Sequence, residues 1–187
     1  MKLSVVIPFY NEENMIQKMY DELVKEINQI TKAEFEIIFI NDGSKDRTFE
    51  RMLAIAAGDS RVKYISFSRN FGKEAGTIAG LEYATGEAVI LMDGDLQHPP
   101  AMLPQMIEAY EQGYDVVSAR RTRTGEKPHR TFLAKHFYKL ANKMMDIELM
   151  DGVSEFRLFS RKVVNAIISM QEYNRFSKGI FAWVGFN

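Results

Sequence analysis

Residues 88–100 read "AVILMDGDLQHPP": five apolar residues stop at two aspartates one position apart, and two prolines follow. A short uninterrupted apolar run bounded by turn residues has the composition of a strand buried on both faces. In extended chain, residues i and i+2 point the same way, so Asp93 and Asp95 converge while Gly94 between them adds no bulk. Two neighbouring carboxylates repel and raise one another's pKa unless a cation relieves them. The competing reading is that both aspartates cap the helix expected after Pro99 and Pro100.

Working outward, the same kind of run recurs. "LSVVIP" (3–8), "FEIIFIN" (35–41), "VKYISF" (62–67) and "DVVSA" (115–119) read as further strands, with Pro8 expected to end the first. Between them, Met15, Ile16, Met19, Tyr20, Leu23, Val24, Ile27 and Ile30 repeat at helical spacing. Helices are also expected from Thr48 to Ala57 with Gly58 as cap, over "KEAGTIAGLEYA" up to Gly86, and after Pro100 up to Gly113. Strands alternating with helices imply an α/β, Rossmann-like, mostly parallel sheet with helices on both faces. At 187 residues with 46% hydrophobic content, one domain over 1–187 can bury its own core.

In such a sheet, ligands bind beyond the carboxyl ends of the strands. Those ends read "PFYNEE" (8–13), "NDGSKD" (41–46), "SRNFGK" (68–73) and "DGDLQ" (93–97). None is a Gly-rich phosphate loop: G-x-G-x-x-G and G-K-[ST] are both missing. Carboxylates and amides crowd the edge instead, so a phosphorylated ligand here calls for a divalent cation. Tyr10, Asn11 and Glu12 offer a ring and polar groups to a nucleobase and ribose, or else begin the next helix. Asp42 with Gly43 and Ser44 can accept from a base, or can be turn chemistry with Ser44 as N-cap. Lys73 can reach a phosphate, while Phe71 and Gly72 are equally suited to packing.

Charge is uneven. From Arg120 to Lys143 eight basic residues face Glu126 alone, an excess of seven, so the rest of a chain of net charge −1 carries −8. That asymmetry suits an anionic partner for one face, or a solvated helix face. "RRTRTGEKPHR" (120–130) reads as a loop, and 131–145 as an amphipathic helix with Lys135, Lys139 and Lys143 opposite Phe132, Phe137 and Leu140. Such a helix lies on an anionic membrane surface or packs on a core. With no cysteine there is no disulfide framework or thiolate metal site. No stretch approaches the roughly 18 apolar residues of a membrane span, "GIFAWVGF" (179–186) being the nearest. No leader pattern is visible before the first strand, so a cytoplasmic chain is expected.

Taken in order, "VVIPFYNEE", "FINDGSKDRT", "SRNFGKEAGTIAGL", "MDGDLQHPP" and "EFRLFSR" resemble the family 2 glycosyltransferases of GT-A fold. Within that family the resemblance is to the polyprenyl-phosphate glycosyltransferases. It implies an inverting hexosyl transfer from a nucleotide diphosphate sugar to polyprenyl phosphate at the inner membrane face, for cell-envelope glycans, without nucleic acid. Closeness to bacterial relatives in "SRNFGKEAG" and "MDGDLQHPP" favours UDP.

The resemblance assigns Pro8, Tyr10, Asn11, Glu12, Asp42, Gly43, Ser44, Lys73, Asp93 and Gly94 to the donor. It gives Asp93, Asp95 and Gln97 to Mg²⁺ or Mn²⁺, with His98 either a further ligand or an exposed loop residue. Arg120, Arg130 and Arg157 fall to the acceptor phosphate, and Asp95, Glu155 and Arg157 to catalysis. Glu155 stands where relatives carry aspartate, which puts a basic role for it in doubt, and Ala134 stands where they carry serine, which removes a possible phosphate donor. Relatives also continue past "FAWVGFN" into membrane helices, so a catalytic-domain fragment is expected. Two other functions stay open: transfer to a glycan or protein hydroxyl, and a nucleotide-sugar-binding domain without activity.

Overall fold

The carbonyls of Lys2 and Val6 accept hydrogen bonds from Glu87 and Met92 on one side of the first strand, while that of Phe9 accepts from Asp42 on the other. This alternation identifies a strand paired on both sides, at the centre of a sheet. The computed structural model describes residues 1–97, 99–120 and 153–170. Expectations for His98, the 121–130 loop, Arg130, Ala134 and the 131–145 helix lie outside those residues.

In chain order the elements are β1 (Lys2–Phe9), α1 (Ile16–Ile27), β2 (Glu34–Asn41), α2 (Thr48–Gly58), β3 (Val62–Ser66) and α3 (Lys73–Tyr83). Then follow β4 (Ala88–Leu91), a 3-10 turn (Pro100–Met102), α4 (Leu103–Glu111), β5 (Val116–Arg120), β6 (Val153–Ser160) and α5 (Arg161–Ser169). The sheet order is β3-β2-β1-β4-β6-β5. β1 to β4 are mutually parallel, and β6 runs antiparallel to both β4 and β5. The expected mixed α/β, mostly parallel sheet is present. The strand at "VSEFRLFS" is an addition, since its Ser154, Glu155 and Arg157 interrupt any apolar run.

Strand alternation sorts the core into two layers. Leu3, Val5, Ile7 and Phe9 of β1 face Ile16, Met19, Leu23 and Ile27 of α1, with Leu103 and Ile107 of α4 in the same layer. Val6, Ile38 and Leu91 face the other way, onto Leu81 of α3 and Val163, Val164 and Ile167 of α5. Gly80 lets α3 approach closely, because a Cβ there would lie 2.2 Å from Val6 Cγ1. Among the described residues no helix is long and apolar enough to cross a membrane.

Several boundaries differ from the periodicity, each for a physical reason. Pro8 does not end β1 but sits within it, opposite Ile40. Its nitrogen faces the β4 side, as the carbonyls of Lys2 and Val6 do, and the β4 pairing ends at Val6 opposite Leu91, so the missing N–H costs no ladder bond. Gly58 is the last residue of α2 rather than a left-handed cap, and the chain leaves through extended Asp59. α3 ends at Tyr83, and Gly86 serves close packing instead: a Cβ there would lie 2.7 Å from Ser4 N and Oγ.

At the amino edge of the sheet, buried Glu36 accepts hydrogen bonds from Ser4 Oγ (2.6 Å), Thr85 N (2.6 Å), Thr85 Oγ1 (2.8 Å) and Lys63 Nζ (2.7 Å). Burial opposes its ionisation, yet the bonds from Lys63, Ser4 and Thr85 prevail and hold its pKa far below the usual carboxylate range. A depressed folded pKa contributes stability that is complete above the unfolded value and lost as pH falls through the folded one. Glu36→Gln is therefore expected to cost about 2 kcal/mol at pH 7, since a charge-assisted network loses its charge. Thermal melts from pH 7 to 2.5 should show the gap to wild type narrowing below about pH 4.5. A gap that stays constant to the lowest pH would refute this role.

Candidate active site

The topology itself marks a crevice. β2 and β3 lie to one side of β1 and β4 to the other, so the strand order reverses between β1 and β4, where helices diverge beyond the carboxyl ends. A cleft of about 340 Å³ opens there, lined by Pro8, Phe9, Tyr10, Glu12, Asp42, Asn70, Gly72, Lys73, Asp93, Gly94 and Asp95. That volume is of the order of a small-molecule site.

Both aspartates line this cleft, brought there by a turn rather than a strand pleat. β4 ends at Leu91, and the chain turns at Gly94 and Asp95. Asp95 Oδ1 accepts from Gln97 N at 2.9 Å, and Leu96 takes a left-handed φ of 56°. Gly94 answers to packing, since a Cβ there would stand 2.3 Å from Phe9 Cε1, and the Phe9 ring is wedged edge-on against Phe39. Asp93 Oδ1 meets Lys73 Nζ, from the first turn of α3, at 2.5 Å.

The neighbouring loops are stitched into a rigid wall. Asn11 N donates to Ser44 Oγ (3.0 Å), and Lys45 N donates to Asn11 Oδ1 (2.8 Å). Glu12 N donates to Thr48 Oγ1 (2.8 Å) and Ser44 N to Asn41 Oδ1 (3.0 Å). Because α1 starts only at Ile16 and α2 only at Thr48, Asn11 and Glu12 do not begin a helix and Ser44 is no N-cap. Asp42, 3% exposed, accepts from Phe71 N (2.7 Å) and Gly72 N (3.0 Å), tying this wall to the loop before α3. Gly43 makes that approach possible at φ +63°, since a Cβ there would lie 2.2 Å from the Arg69 carbonyl carbon.

Tyr10 leaves its ring 42% exposed at the mouth. Burial raises the Glu12 pKa first, and the charges of Asp95 and Asp46 raise it further, so negative potential gathers on this side of the cleft. Among the described residues no group of three or more acidic or imidazole side chains is placed to hold a metal by itself. Asp93 and Asp95 as an oxygen pair facing a cleft do fit a Mg²⁺ or Mn²⁺ that completes its shell from a ligand's phosphates and water.

Of the residues expected from sequence, the cleft gathers Pro8, Tyr10, Glu12, Asp42, Lys73, Asp93, Gly94 and Asp95. Asn11, Gly43 and Ser44 stand behind its wall, and Gln97 is exposed beyond it. Arg157 lies in β6 opposite Leu91 and Ser118, 6% exposed. Burial lowers its pKa and the Glu155 carboxylate raises it in part. Glu155 stands two residues nearer the carboxyl edge of β4, and Arg120 ends β5 on that same edge opposite Val153. Phe9, Asn70 and Gly72 line the cleft without having been singled out for it; Asn70 and Gly72 sit inside the quoted "SRNFGK", so their signal was there.

The sequence matches the profile of Glycosyl transferase family 2 over residues 4–168. It is 51% identical over 185 residues to the putative glycosyltransferase CsbB of Bacillus subtilis, covering 99% of this chain and 56% of that one. It is 45% identical over 186 residues to the bactoprenol glucosyl transferase of Shigella phage SfX, covering 99% and 61%. The chain thus spans a little over half the length of these relatives. In fold it resembles the glucosyl-3-phosphoglycerate synthase of Mycobacterium tuberculosis, solved with Mn²⁺, UDP and glucosyl-3-phosphoglycerate. That match has a TM-score of 0.56 at 23% identity, over 87% of this chain and 57% of that one.

Proposed function

This chain belongs to glycosyl transferase family 2, and from that membership we propose that its cleft binds a UDP-sugar with a divalent cation and passes the sugar to polyprenyl phosphate. The transfer inverts the anomeric centre and takes place at the cytoplasmic face of the membrane, in building cell-envelope glycans. The observation that carries the donor half is the switch-point cleft where Asp93, Asp95 and Lys73 face one space with no phosphate loop nearby. The name bactoprenol glucosyl transferase among relatives 45% identical supports the lipid phosphate, and a fold neighbour with Mn²⁺ and UDP supports the donor and cation.

In this reading Tyr10 offers its face to the base, and Asp42 fixes the loop that carries Asn70 and Lys73. Asp93 and Asp95 would hold the cation, whose chemistry there is to stabilise negative charge on the departing nucleoside diphosphate. An acceptor phosphate oxygen forms the new bond to the anomeric carbon as the bond to the β-phosphate oxygen breaks. A phosphate monoester is anionic near neutral pH, so positioning and charge screening suffice and no base is required. Arg120, Arg130 and Arg157 are the cations proposed for that acceptor, arginine's fork matching phosphate oxygens.

Transfer to a hydroxyl would instead require a general base, for which Glu155 is the proposed candidate. The two are separated by incubating the full-length protein with labelled UDP-sugars and Mn²⁺, offering polyprenyl phosphate and soluble hydroxyl acceptors in parallel. Label is expected in an organic-soluble, mild-acid-labile glycosyl phosphate. Label found solely on hydroxyl acceptors would overturn the proposal.

A further inference from the structure

Lys73 and a divalent cation compete for the same oxygen. Lys73 Nζ lies 2.5 Å from Asp93 Oδ1, and both side chains are partly exposed to the cleft, at 42% and 26%. Lys73 sits in the first turn of α3, directly after Gly72, whose φ is +95° and whose N–H is held by Asp42. Its root is therefore fixed, whereas its flexible stem leaves the ammonium free to move within the cleft.

We propose that Lys73 is an exchangeable counter-ion: it neutralises Asp93 until a nucleoside diphosphate arrives, then moves to the phosphates and releases the carboxylate to the metal. The inference rests on the proposed donor site and adds a coupling to it. A cation binding alone must displace Lys73 from Asp93 and tolerate an ammonium left without its partner. With a diphosphate present, Lys73 gains a new anion and the cation gains phosphate oxygens. Nucleotide and metal then strengthen each other's binding, by the same factor in either direction. The ion pair also keeps Asp93 and Asp95 from facing each other uncompensated.

The test reads binding rather than turnover. Free Mn²⁺ is followed by electron paramagnetic resonance in titrations of the full-length protein, with and without saturating UDP, for wild type, Lys73→Met and Lys73→Arg. Lys73→Met is expected to bind Mn²⁺ roughly fivefold more tightly than wild type without nucleotide, the scale on which a partly exposed ion pair acts. It should also bind UDP more weakly and show a smaller UDP–Mn²⁺ coupling factor than wild type, because only the share that Lys73 carries is lost while the cation still gains phosphate oxygens. Lys73→Arg keeps a cation that can pair with either anion and should retain the coupling. Mn²⁺ binding by Lys73→Met that is equal to wild type, weaker or undetectable without nucleotide would overturn the exchange. Should wild type bind Mn²⁺ in neither condition, the donor-site reading itself falls. A wild type that binds Mn²⁺ only weakly alone and tightly with UDP, next to a Lys73→Met that binds Mn²⁺ more tightly alone and is less strongly coupled, supports both.

Discussion

Asp95→Asn is expected to lower sugar transfer by about 10²–10³-fold while leaving the fold intact, a loss typical of removing one pre-placed charge-stabilising group. The substitution is conservative where structure is concerned. The amide that replaces the carboxylate keeps an oxygen to accept from the Gln97 N–H, so the turn that follows β4 survives. What disappears is a full negative charge in a cleft that Glu12 already senses, for Asp95 is the larger of the two charges that raise the Glu12 pKa. Removing it moves the Glu12 pKa back toward the ordinary range and leaves Asp93, paired with Lys73, as the sole aspartate of the pair. A hard cation that takes one or two protein carboxylates is weakened far more by losing an oxygen anion than by a change of shape. Thermal melts should agree with wild type within about 2 °C, as for a surface change of under ~0.5 kcal/mol. Transfer within threefold of wild type would remove Asp95 from the reaction and, with it, the cation-assisted departure of the nucleotide.

The positions of these groups along the sequence were readable because the parallel strands end within about a residue of where their apolar runs end, and ligand-facing residues follow soon after. Asp93, Asp95 and Tyr10 needed no more than that. Their neighbours depend on contacts that no local pattern contains. Asp42 has the chemistry of an acceptor, but its partners Phe71 and Gly72 arrive from the far side of β3. Gly94 is small not to make space for a ligand alone but because Phe9 lies beneath it. β6 was missed for a related reason: its partners β4 and β5 precede it by many residues, and Ser154, Glu155 and Arg157 interrupt the continuous apolar run by which the central strands are read. Burial of Arg157 is likewise a property of the sheet, where β6 is flanked on both sides.

The same close approach that shapes the wall makes Gly43 the position least able to accept a side chain. Gly43→Ala is expected to destabilise the protein by roughly 4 kcal/mol or more and to abolish nucleotide binding. Two costs combine. At φ +63° an alanine enters the left-handed region, a penalty of about 1–2 kcal/mol. Its Cβ would also stand 2.2 Å from the Arg69 carbonyl carbon and 2.6 Å from Arg69 Cα and O. These are backbone atoms, so no rotamer change relieves the clash, and the β2–α2 and β3–α3 loops must separate. Separation pulls Phe71 N and Gly72 N away from Asp42, leaving a buried carboxylate short of its donors. Because Lys73 is the next residue, the cleft loses its cation in the same movement. Gly58→Ala is the control: nothing lies within 4 Å of its Cβ, and it closes a helix where alanine is favoured, so an effect from neutral to about 1 kcal/mol stabilising is expected. Urea unfolding of the two variants beside wild type decides the matter. If Gly43→Ala loses no more stability than Gly58→Ala, the loops are free to part, and the rigid wall assigned to the donor side of the cleft does not exist.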